Sequence, residues 1–127
     1  MKPQQTTKQR RRPSKVFTIC RHTNVELQYS LTFCVEVARP EQFPRMLVGF
    51  LDLDTKDVVV DVVTMFRGNS VSRFVTLMKS VEIHILCGNG TGKPLKAAQR
   101  LDAIRDDVFT NVAQWVTDKF DSMIQGN

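Results

Sequence analysis

The chain has 127 residues, enough for one hydrophobic core, and its 42% apolar and 24% charged residues exclude a wholly disordered chain. No apolar stretch approaches the roughly 20 residues of a membrane-spanning helix. The formal net charge of +5 is unevenly spread: Lys2, Lys8, Arg10, Arg11, Arg12, Lys15 and Arg21 all precede Glu26, the first acid, and the rest of the chain holds 11 basic against 13 acidic residues.

Residues 1–15 are polar, hold no apolar run and include Pro3 and Pro13. They read as a flexible basic arm, with residues 16–127 as a single domain. No secretory signal is expected there, and the three cysteines, Cys20, Cys34 and Cys87, cannot all pair within one chain. Both features point to an intracellular protein, in the nucleus, the cytoplasm or both, with free thiols.

A short strand is expected over 16–20 and a turn over 21–24. Strict apolar–polar alternation then runs over 25–37, which predicts a strand with one buried and one wet face, as in antiparallel sheets. Pro40 and Pro44 bracket a loop. Strands over 46–53 and 58–66 flank Asp54-Thr55-Lys56-Asp57, a polar link suited to a hairpin. Ser70 can cap a short helix whose Val71, Phe74, Val75 and Met78 share a face. Val81, Ile83, Ile85 and Cys87 alternate again and predict a fifth strand. After the glycine-rich residues 88–92, a helix over 94–124 places Leu101, Ile104, Val108, Val112, Trp115, Val116 and Met123 on one stripe. The expected fold is α+β: an antiparallel sheet of four to five strands with a long C-terminal amphipathic helix packed on one face.

Residues 88–93 have the glycines and lysine of a phosphate-binding loop. However, Cys87 stands where that motif needs glycine, and Pro94 where it needs Ser or Thr for magnesium. The segment therefore reads as a β-to-α connection, with anion binding at its amides left open. Cys20 with His22, and His84 with Cys87, have zinc-ligand types without zinc-ligand spacing. Cys and His are present, but no local signature of a nucleophile surrounds them. No catalytic residue, metal or cofactor is expected, and the chain does not read as an enzyme.

The arm carries the strongest functional signal. Lys8, Arg10, Arg11, Arg12, Lys15 and Arg21 can neutralise phosphates and gain from counterion release without fixed geometry. Lys93, Lys96 and Arg100 at the expected helix start would add contacts from the body. Ser14, after Arg11-Arg12-Pro13, lies where basophilic kinases act, and its phosphorylation would weaken that cationic run. Arg105 and Lys119 fall near the centre of the helix stripe, where they would pair with carboxylates across a homodimer interface.

The reading is a non-enzymatic RNA- or DNA-binding protein, largely sequence-independent and dimeric, a design that serves a virus as an accessory protein as well as it serves a cell. The alternative is a protein-interaction module whose arm is only a nuclear import signal, read by an import receptor.

Overall fold

The computed structural model describes residues 15–37, 45–64 and 70–124. Four strands, β1 (Lys15–Asn24), β2 (Tyr29–Val37), β3 (Arg45–Asp52) and β4 (Val58–Thr64), form one antiparallel sheet in the order β1-β2-β3-β4. Three helices follow: α1 (Ser70–Leu86), α2 (Leu101–Asn111) and α3 (Ala113–Ile124). The α+β class expected from the patterning is the fold observed.

The alternation beginning at Val25 is a strand only from Tyr29 onward. Residues 25–28 form the β1–β2 turn, and β1 itself continues through 21–24, where a turn was expected. Asn24 decides this: its side-chain Oδ1 accepts the Leu27 amide at 2.9 Å, while Gln28 adopts a left-handed φ of 57° and donates its amide to the Val25 carbonyl. The second hairpin matches expectation. Asp52 Oδ1 accepts the amides of Asp54 and Thr55, and Lys56 takes the left-handed position.

No fifth strand forms at 81–87. Those residues complete α1, a 17-residue helix. Val81 and Ile85 alternate with Ile83 at strand spacing, but they also stand four apart on one helical turn. With Phe74, Leu77 and Met78 they make the buried stripe, while Ile83 is 61% exposed. No glycine or proline interrupts residues 70–87, so the helix runs on.

The final helix is shorter than expected and divided. Residues 96–100 are a 3₁₀ segment, and the α-helical ladder bends at Val112, whose φ is −120°. Leu101, Ile104, Val108, Val112, Val116 and Phe120 form its buried line. Trp115, expected on that line, is 44% exposed. Helix α1 lies against β4 and β3, and α3 against α1 and β1.

The helices cover one sheet face, where Tyr29, Leu31, Phe33 and Val35 of β2 meet Met46, Val48 and Phe50 of β3. Cys20 joins this face because the β1–β2 register shifts between Thr18 and Cys20. On the opposite face the ladders align Thr23, Ser30, Leu51 and Val58 in one row, and Arg21, Thr32, Gly49 and Val60 in the next.

Candidate nucleic-acid interface

Lys8, Arg10, Arg11, Arg12 and Ser14 lie outside the described residues. Lys15 opens β1 and is exposed, and Arg21 is exposed on the sheet face turned away from the helices. Its Nε reaches Thr32 Oγ1 at 3.5 Å.

The three body cations expected to join them have different surroundings. Lys93 is exposed. Lys96 Nζ sits 2.8 Å from Asp54, and that hydrogen bond and charge hold the ammonium above its ordinary pKa. Arg100 is built into the fold. Its Nε donates to the Leu27 carbonyl at 2.8 Å, and one terminal nitrogen donates to the Gln28 carbonyl at 3.0 Å. The same nitrogen lies 3.5 Å from the fully buried Asp52. Burial pushes the Asp52 carboxyl up, but the amides of Asp54 and Thr55 and the charge of Arg100 outweigh it and leave the group below its usual range.

The glycine-rich residues join helix α1 to the 3₁₀ segment, so the strand that precedes a phosphate-binding loop is absent here. Gly88 has φ +62°, and a Cβ there would stand 1.9 Å from the Lys93 carbonyl oxygen, so only glycine closes this turn. The loop also spends its own donors. The amides of Gly90 and Gly92 go to the Cys87 carbonyl, that of Thr91 to Gly88, and that of Lys93 to Thr91 Oγ1. An anion would have to displace these bonds.

Arg105 finds its carboxylate within its own chain. Nε and one terminal nitrogen meet the two oxygens of Glu82, each at 2.8 Å, and the other terminal nitrogen meets Asp102 at 3.0 Å. Lys119 is exposed, and its charge is felt at Cys20. An open groove of about 470 Å³ runs beside Arg105, bordered by Leu86, Gln99 and Asp102.

Two clusters escaped the sequence reading. Asp107 on α2 receives the hydroxyl of Tyr29, lies 2.8 Å from His22 Nε2, and accepts from Asn111 Nδ2 at 2.7 Å. Burial alone would raise its pKa, but bonds from Tyr29, Asn24, His22 and Asn111 hold it well below the carboxylate range. Tyr29 moves the other way, upward, through burial and then through its bond to Asp107. The signal was Tyr29 itself, since a tyrosine on an apolar strand face needs a partner for its hydroxyl.

The second cluster joins Asp61 of β4 to Ser80 and His84 of α1. Ser80 donates to Asp61 Oδ2, and His84 Nε2 lies 3.8 Å from the same oxygen. A serine nucleophile needs the imidazole beside its hydroxyl and the carboxylate behind the imidazole. Here the carboxylate stands beside the hydroxyl, which is not that order, and the contacts tie α1 to β4. Among the described residues, no group of three or more His, Cys, Asp or Glu could hold a metal ion.

No family model, curated protein or solved structure matches the chain.

Proposed function

We propose that this protein is a non-enzymatic nucleic-acid-binding protein that holds RNA or DNA largely without regard to sequence, chiefly through the cations that precede Glu26, of which Lys15 and Arg21 stand on β1. One observation carries the reading. Seven basic residues and no acid stand before Glu26, whereas Lys96, Arg100, Arg105 and Arg45 are engaged by carboxylates of the body itself. Positive charge concentrated along a short segment that contains no acid attracts a polyanion. Contacts to phosphate position a protein without reading bases, so sequence preference should be slight.

The test is binding of single- and double-stranded oligonucleotides by the full chain across a salt series. With seven cations, log affinity should fall against log salt with a slope no steeper than about −5 to −6. Replacing Lys8, Arg10, Arg11 and Arg12 together with Gln should flatten the slope by about 3 and abolish tight binding. A full chain that does not bind at moderate salt removes this reading and leaves the nuclear-import one. Phosphorylated Ser14 should weaken binding, because it adds about −1.5 to −2 charge within the cationic run. Unchanged affinity of the enzymatically phosphorylated protein would end that part of the proposal.

A further inference from the structure

The sheet face turned away from the helices is uncovered by any described residue, and it is divided lengthwise. Its β1–β2 half presents Arg21, Thr23, Ser30 and Thr32. Its β3–β4 half is aliphatic beyond Arg45, which pairs with Glu36 at one end: Leu47 and Leu51 are half-buried, and Val58 and Val60 are 52% and 60% exposed. Gly49 sits in the middle of that half, between Leu47 and Leu51 along β3 and beside Val60 of β4.

Among the described residues nothing requires a glycine at position 49. The ladders on both sides of it run in unbroken register, so no bulge needs it. Its φ is not left-handed, and a Cβ there would find nothing within 4 Å. A glycine inside a central strand weakens the strand, and it recurs where something from outside approaches the backbone closely. The recess it leaves opens onto the aliphatic half.

We propose that a second copy of this chain packs on this face, the two sheets meeting to form a two-fold sandwich with the Gly49 recess of each filled by an aliphatic side chain of the other. A two-fold axis lying between the sheets and across the strands sets β3 and β4 of one copy over β3 and β4 of its partner. Aliphatic half then meets aliphatic half, and the hydroxyl-rich half becomes a polar rim.

The size fits. Four strands about 4.8 Å apart and about 26 Å long give a face of roughly 500 Å² in projection, and its corrugation brings the accessible area near the ~800 Å² per partner of a standard interface. Nucleic acid fits less well, because the described residues of this face include no aromatic ring on which a base could stack. The proposal is independent of the arm.

The experiment is sedimentation velocity on the full chain, freed of nucleic acid, at micromolar and sub-millimolar concentration. The parent should sediment as a dimer of the 14.5 kDa chain. Val60→Lys, at an exposed edge-strand position, should keep the parent's circular dichroism and weaken the dimer roughly a hundredfold, since a two-fold interface carries the change twice. Gly49→Leu should also fold, its side chain entering open space, yet weaken association by occupying the recess. A parent that stays monomeric overturns the proposal, as do variants that dimerise as the parent does. A chain that dimerises but ignores polyanions upholds it and removes the nucleic-acid reading instead.

Discussion

Arg100 donates to the carbonyl oxygen of Gln28, 72 residues earlier in the chain, at 3.0 Å. A side chain expected to face phosphate instead supports the β1–β2 turn, where Gln28 is held in a left-handed conformation. Arg100→Ala would remove the guanidinium donor from the Leu27 carbonyl, leave the Gln28 carbonyl to the Leu53 amide, and leave the buried Asp52 without its nearest cation. The expected cost is about 2–4 kcal/mol in urea unfolding. Polyanion affinity per folded molecule should barely change. A variant as stable as the parent would show that the turn does not depend on this guanidinium.

Asp107 makes stability depend on acid. Its folded pKa lies below its unfolded value of about 3.9, so its contribution is complete above that value and is lost as pH falls through the folded pKa. Asp52 has the same sign. Stability should therefore be level in these terms near neutrality and decline below about pH 4. Asp107→Asn should cost about 2–3 kcal/mol at neutral pH and flatten the acid decline, as read from unfolding at a series of pH values. A variant keeping the parent's acid slope would assign that slope to other groups.

Arg105 is partly exposed and its two carboxylate partners belong to its own chain. Arg105→Leu should therefore lower stability by about 1 kcal/mol or less, with the loss shrinking at high salt. The oligomeric state should not change. If the variant dissociates a dimer that the parent forms, the α1–α2 surface takes part in assembly.

Cys20 is buried among core residues, and burial pushes its thiol up to about 11, with Lys119 pulling slightly the other way. Cys34 and Cys87 are half-exposed. Iodoacetamide at neutral pH should label Cys87 well before Cys20, because the thiolate is the reacting form, whereas Cys34, on the sheet face proposed to receive the second copy, should be slowed at dimer-forming concentration. Denaturant should equalise the three. Mass spectrometry of labelled peptides reads the order, and early labelling of Cys20 would contradict the packing around β1.

The parts of the fold legible in the sequence are those decided by neighbours along the chain. The alternation from Tyr29 onward gives β2, and the aspartate-rich link gives the second hairpin. Val25 and Leu27 continue that alternation by residue type, but the Asn24 side chain and the left-handed Gln28 turn the chain there. Val81, Ile83 and Ile85 satisfy strand and helix spacing equally, and only the packing of α1 on β4 decides between them. The Arg100 and Asp107 bonds join residues more than 70 positions apart, so no local pattern could announce them. The concentration of charge before Glu26 needed no structure to be seen.

The strands pair strictly in the order in which they are made. During synthesis each can zip onto its predecessor as soon as it leaves the ribosome, since every partner is its neighbour in sequence. The helices that cover the sheet come afterwards, so the greasy side bearing Tyr29, Phe33 and Phe50 must wait for the rest of the chain. In that interval the nascent sheet is a sticky surface, vulnerable to clumping and attractive to a holding chaperone.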